Sequence, residues 1–410
     1  MNKILLIFVL FVSTQIICAQ NNTSSLYSAY GIGLRQSKAD ASSAGMGYAG
    51  LALPSTGYLN NLNAASYSAI DSVRFIFNLQ GSLSFSDYQT QSEQQKNIDA
   101  NLESFSFGFR ASKNWGMGFS LSPYSNIGYN VNSQKYILGT LSKYPINYYG
   151  EGGISQLSWH NGFQLTKRLS LGISASYLWG STDIIEVSYY PQLDGETIYN
   201  ERNYHVSSLL LEYSFQYHQP IGMSTLSFAG SANMSTELDT YYKHRIYNDV
   251  TSDLSSTEND ANNIFIPLNY QAGIALQTHK GWTIAADYRY GEWSKSELLI
   301  SGGEARNTHG GSFGIQYGST RYHRSLFKRM QYRIGAFYDQ EYITIQGNDI
   351  DTKGVTAGLT IPMRDGSKVN VAYEYKERGT MNAGLIQERY NSFKIGLTFN
   401  ETWFQKRKFK

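Results

Sequence analysis

Residues 72–89 read SVRFIFNLQGSLSFSDYQ, and their period is two. Odd positions carry Val73, Phe75, Phe77, Leu79, Leu83 and Phe85. Even positions carry Arg74, Asn78, Gln80, Ser82, Ser84 and Ser86, with Ile76 the one exception. Side chains alternate across a strand, so this stretch predicts a β-strand with one greasy and one polar face.

The same alternation recurs down the chain, as in Phe105–Phe109, Trp115–Leu121, Leu169–Trp179, Ile264–Leu276 and Phe393–Phe399, and fourteen such strands can be counted. Their links alternate in length. Long polar stretches (Tyr88–Asn101, Gly180–Val206, Ser235–Asn263) trade places with tight turns (Ser112–Asn114, Thr166–Arg168, Thr278–Gly281). A soluble sandwich has no reason to sort its loops by length or to repeat a polar face fourteen times. An outer-membrane barrel does: backbone groups in lipid must be paired within a closed sheet, with tight turns on the periplasmic side and long loops outside. The expected class is all-β, a 14-stranded antiparallel transmembrane β-barrel over residues 71–400.

Composition agrees. Of 410 residues only 16% are charged, Tyr alone contributes 33, and the net charge of +2 gives no bulk attraction for nucleic acid. No apolar run approaches the ~18 residues of a spanning helix. Residues 1–19 read as a cleavable leader: Lys3, the apolar run Ile4–Val12, then Cys18-Ala19. A lipoprotein reading would acylate Cys18, against which stands the bulky Ile17 before it. Because Cys18 is the single cysteine, no disulfide or thiolate site is expected in the mature chain. Residues 401–410 form a short basic tail.

Between leader and first strand lies a different kind of sequence, residues 20–70. Its centre, ADASSAGMGYAGLALPSTGYLNNLNAASY (39–67), is rich in glycine and alanine, and Asp40 is its only charged residue. Bare backbone packs closely, so this segment is expected as a plug, or hatch, folded within the barrel. Gly45, Gly47 and Gly50 would pack against the wall, and Asn60, Asn61 and Asn63 would hydrogen-bond to it. Gly45–Gly50 also matches GxGxxG, but no strand precedes it, Pro54 follows it, and no acid occurs before Asp71, so a nucleotide site is not expected. Gly310–Gly314 matches GxSxG without the strand–turn–helix that a nucleophile elbow needs. The seven histidines show no metal-ligand spacing. No enzyme, cofactor or metal is expected.

By parity the lumen face carries Arg74, Arg110, Glu212, Asp287, Arg289, Arg333, Glu374 and Lys394. These read first as ion pairs that stiffen the wall and dock the plug. A second reading makes Arg74, Arg110, Arg289 and Arg333 contacts for a ligand carboxylate. Pro123, which can donate no ladder hydrogen bond, marks a strand end or a kink in the third strand.

With Ala44-Gly45-Met46-Gly47-Tyr48-Ala49-Gly50 and Leu62-Asn63-Ala64-Ala65-Ser66, the chain resembles the FadL family of outer-membrane transporters for hydrophobic compounds, whose AMGGAG and NPA segments these two motifs follow; Ala64 replaces the proline. The leader style and basic ending are similar to members from Bacteroidetes-type bacteria. The resemblance implies a hatch at 20–70, a lateral opening near Gly116, Gly118 and Pro123, and passive uptake of a fatty acid or other greasy compound, released sideways into outer-membrane lipid. Relatives similar to PorV instead serve as partners of outer-membrane or periplasmic proteins in secretion or assembly complexes, so an accessory role stands as the alternative.

Overall fold

A computed structural model describes residues 25–137, 139–190, 196–249, 254–260, 264–296, 303–318, 325–363 and 366–402. The expected leader and residues 403–410 of the basic tail lie outside the described residues. Fourteen strands run up and down in chain order: β1 (Arg74–Gln89), β2 (Gln94–Ser112), β3 (Trp115–Tyr136), β4 (Lys143–Gln164), β5 (Leu169–Tyr190) and β6 (Glu196–Ile221) come first. Next are β7 (Ser224–Asn233, continued by Thr236–Asn248), β8 (Ser255–Asp260, Ile264–Ile266, Asn269–Gln277), β9 (Trp282–Gly291) and β10 (Gly303–Ala305, Thr308–Gly318). The last four are β11 (Gln331–Ile345), β12 (Asn348–Pro362), β13 (Lys368–Arg378) and β14 (Gln387–Thr402). β14 pairs antiparallel with β1 from Gln387↔Gln89 to Thr402↔Arg74, which closes the barrel.

The outer face is the greasy one. Leu121, Trp159, Ile173, Tyr213, Phe313 and Ile395 are all exposed there, as a lipid-facing band requires. Aromatic pairs bridge neighbouring strands, Phe119 stacking on Trp159 at 6.2 Å and Trp282 meeting Tyr317 at 4.7 Å. No described helix is long and apolar enough to cross a membrane.

The links expected to be long at 88–101, 180–206 and 235–263 are largely strand. The link expected over Tyr88–Asn101 is a tight turn, Thr90 N–H donating to Glu93 O at 2.9 Å, with both strands extended to meet it. β3, β4 and β5 each run 22 residues and β6 runs 26, where crossing the bilayer needs about 9–11. Above the lipid the outer face meets water and loses its greasy alternation, while the ladder continues. Polarity there marks a change of solvent rather than a loop.

Among the described residues three buried apolar clusters lie in the interior. The largest joins Tyr27, Ile32 and Leu34 of the N-terminal segment to Leu178, Leu210, Leu238 and Tyr342 of the wall and to Trp293 in the 3-10 turn after β9.

Candidate functional site: the hatch, the split wall and the cavity

Residues 25–70 sit inside the barrel. Asp40 caps a single helical turn, Ala41–Ala44, by accepting from Ser43 N–H at 2.9 Å. Asn63 caps the 3-10 turn Ala64–Ala69, accepting from Ala65 N–H at 2.9 Å. Asn60 Nδ2, expected to reach the wall, instead donates to Gly50 O at 2.8 Å and Leu53 O at 2.7 Å, tying the centre of the segment to itself.

Glycine permits the seating. Gly47 has φ +66, and a Cβ there would lie 2.6 Å from the Ala336 backbone of β11; its N–H donates to Thr356 Oγ1 at 2.9 Å. Gly45 lies against Gly358 of β12. Gly50 N–H and Leu51 N–H both donate to Asp287 Oδ2, at 2.7 and 2.9 Å. Asn61 Nδ2 reaches Ser106 Oγ at 3.4 Å and its Oδ1 accepts from Tyr67 Oη at 2.6 Å, while Asn63 Nδ2 reaches Phe215 O at 3.1 Å. The letters of GxGxxG are thus spent on contact with the wall, and Gly310–Gly314 lie within β10.

Gly116 and Gly118 serve the same contact. A Cβ on Gly116 would sit 1.9 Å from Tyr67 O, and one on Gly118 would sit 2.6 Å from the Tyr67 ring. Both are paired across β2–β3, Arg110↔Gly116 and Gly108↔Gly118, so the wall is closed at their level. It opens further up. The β2–β3 ladder stops at Phe105↔Leu121, whereas β3 stays paired to β4 as far as Tyr136↔Lys143. Pro123 lies just beyond the split, at a register shift between Pro123 and Ser125.

The hatch covers the freed edge of β3. Leu34 pairs with Asn126 and Arg35 with Ser125. Gln36 N–H donates to Tyr124 O at 2.9 Å, and Ser25 N–H donates to Gly128 O at 2.8 Å. Unpaired ladder groups at membrane depth have no water to turn to, and the hatch backbone supplies their partners. At the N-terminal end Tyr27 Oη donates to Ile386 O at 2.5 Å, and Ser25 Oγ donates to Glu388 Oε1 at 2.7 Å. Burial, helped by the nearby Glu388 carboxylate, pushes the Tyr27 hydroxyl up to about 12.

Beside the hatch lies a cavity of about 340 Å³ that reaches from Arg289 and Glu212 in the lumen to Leu102 and Pro123 at the split. Its walls are charged, and many of the charges are paired: Lys38–Glu212 at 3.1 Å, Arg289–Asp339 at 2.9 Å, Lys394–Glu103 at 2.8 Å and Lys376–Glu374 at 3.2 Å. Of the four arginines read as carboxylate contacts, only Arg289 borders the cavity. Arg74 lies at the barrel rim, donating to Asn400 O at 3.4 Å. Arg110 donates to Ile70 O at 3.3 Å and to Ser112 O at 3.2 Å. Arg333 is held by Gln316 at 2.7 Å and Gln331 at 2.8 Å.

Arg35, which parity could not reach because its strand has two residues, lines the cavity and lies 4.9 Å over the Trp293 ring. His160 is buried between Ser120 Oγ at 2.8 Å and Ser174 Oγ at 2.7 Å and stacks on Tyr67 at 5.1 Å. That site has no access for a substrate; it seats the hatch.

A family model described as BamG matches residues 1–410. No curated protein matches the sequence. Among solved structures, a Pseudomonas aeruginosa FadL homologue is similar with a TM-score of 0.62 at 13% identity, over 89% of this chain and 99% of the other. The CymD monoaromatic hydrocarbon channel gives 0.60 at 15%, over 90% and 98%. The Ralstonia pickettii toluene transporter TbuX gives 0.58 at 13%, over 89% and 98%. These likenesses establish the fold, an outer-membrane barrel of the FadL type.

Proposed function

The chain belongs to the BamG family, and from that premise we propose that it works as a non-transporting accessory subunit of an outer-membrane protein complex. One observation carries this reading: the space left in the lumen is ringed by charge more than by apolar surface. The apolar part of the lumen is occupied by packed side chains around Trp293 and Tyr342. The space that remains is ringed by ion pairs. A hydrocarbon entering that space meets Leu62, Leu102, Leu210 and Phe337 but must also strip water from the charged groups among them, which is unfavourable. The tall strands above the lipid and the exposed turns below it leave surfaces on both sides for partner proteins.

A second reading, passive uptake of a hydrophobic compound with release through the wall, has its own support. The β2–β3 split lies at Pro123, the cavity reaches it, and the hatch strand is its only cover among the described residues. In this reading the hatch strand leaves Ser125 and Asn126 to open the path.

Purification from the native outer membrane in mild detergent separates the two. The accessory reading expects stoichiometric protein partners and no bound apolar molecule. A lone barrel carrying a fatty acid or an aromatic compound would overturn it in favour of uptake.

A further inference from the structure

At the barrel end opposite the one to which β3–β6 extend beyond the lipid, which in an outer-membrane barrel faces the periplasm, the exposed charges are mostly basic. Lys113 lies in the β2–β3 turn, Lys167 and Arg168 in the β4–β5 turn, Lys280 in the β8–β9 turn, and Lys328 on the single helical turn Leu326–Arg329 before β11. All five are exposed. The acids that share this end among the described residues are Asp71, before β1, and Glu401, at the end of β14.

None of these five cations is in an ion pair with a described residue. Every ion pair among the described residues lies in the lumen or toward the opposite end, from Lys38–Glu212 to Lys243–Glu258. The lumen therefore pairs many of its own charges, and this rim does not. With five exposed cations against Asp71 and Glu401, the rim keeps an excess of positive charge that can be met from outside the chain.

Two features say from where. The cations are spread around the circumference, from β2 to β11, instead of being gathered on one side as a single protein footprint would require. They are also interleaved with exposed apolar side chains: Leu165, Met223 and Phe327 occupy turns or strand ends at the same level, Met223 with 75% and Phe327 with 73% of its surface free. Apolar anchors beside basic side chains at the edge of a lipid-facing band are the composition of a headgroup contact.

We propose that this rim is an annular binding surface for anionic phospholipid headgroups of the periplasmic leaflet. The basic turns hold the phosphates, and Leu165, Met223 and Phe327 sit at the acyl boundary. The surface fixes the depth of the barrel in the membrane and is independent of whether the barrel transports or scaffolds.

The test uses the full chain reconstituted in phosphatidylethanolamine nanodiscs doped with cardiolipin, with the lipids retained on release measured by native mass spectrometry. Wild type is expected to retain cardiolipin severalfold over its share in the disc, with the excess shrinking as salt is raised. The quadruple variant K113Q/K167Q/R168Q/K280Q is expected to lose the excess at an unchanged melting temperature, and K113R/K167R/K280R to keep it. The extracellular control K243Q is expected to behave as wild type. Retention in proportion to the lipid mixture, or retention unaffected by the quadruple variant, would overturn the proposal. So would an acidic periplasmic protein that binds wild type and not the quadruple variant while cardiolipin shows no preference.

Discussion

At the scale of single residues, the barrel is specified as much by what glycine leaves out as by what other residues add. Gly116 and Gly311 are both strand glycines on the wall, yet their surroundings differ. A Cβ on Gly116 would lie 1.9 Å from the Tyr67 carbonyl oxygen, and one on Gly311 would meet nothing within 4 Å. Gly116→Ala should therefore lift the hatch from the wall and cost about 1–3 kcal/mol, as overpacking does, whereas Gly311→Ala should change stability by about 0.5 kcal/mol or less. Thermal melting in detergent checks the difference, and trypsin cleavage at Arg35 or Lys38 checks for a loosened hatch. Equal melting of the two variants would refute the packing argument.

Asp287 gives a second residue-scale prediction. Its carboxylate accepts two hatch N–H groups at 2.7 and 2.9 Å, bonds of the charge-assisted kind. Asp287→Asn should cost about 1–3 kcal/mol and should raise trypsin sensitivity of the hatch without altering the barrel's β-sheet circular dichroism. Parity in the sequence placed Asp287 on the lumen face. It could not say that the partner would be backbone amides of Gly50 and Leu51 rather than an arginine, because backbone donors carry no letter in the sequence.

At the scale of elements, the strand most easily missed governs the site. Leu34–Arg35 has two residues and no period to detect, yet it covers the edge that β3 presents above Leu121. The long strands were legible because lipid imposes alternation on them. Their upper halves were not, since water on the outer face removes the greasy signal while hydrogen bonding goes on. A double substitution tests what the hatch strand does. Leu34 and Asn126 are Cα partners in an antiparallel pair, a separation that a disulfide can bridge, and the single natural cysteine is Cys18 of the expected leader. Leu34→Cys with Asn126→Cys should cross-link under oxidation, seen as a mobility shift reversed by reductant. On the accessory reading the locked protein should still recover its partners in wild-type yield. Partner recovery lost on locking and restored by reductant would show that the hatch must move.

At the scale of the whole molecule, the fold and the use of the fold separate. A barrel of fourteen strands has room for a ligand path, and the related folds CymD and TbuX are a hydrocarbon channel and a toluene transporter by name. Here that room is taken by the hatch, by the cluster around Trp293 and by paired charges beside a cavity of about 340 Å³. The consequence can be measured as ion flow. Wild-type protein in a planar bilayer should stay at the membrane baseline, since the hatch lies in the lumen and packs into the buried clusters around Tyr342 and around Tyr67 and Ile70. Removal of residues 25–70 should give discrete conductance steps in a protein whose circular dichroism remains that of a β-barrel. Steady conductance by the wild type would mean that the hatch leaves its seat at room temperature. The split at Pro123 would then be a working exit, and the balance would swing from accessory subunit to transporter.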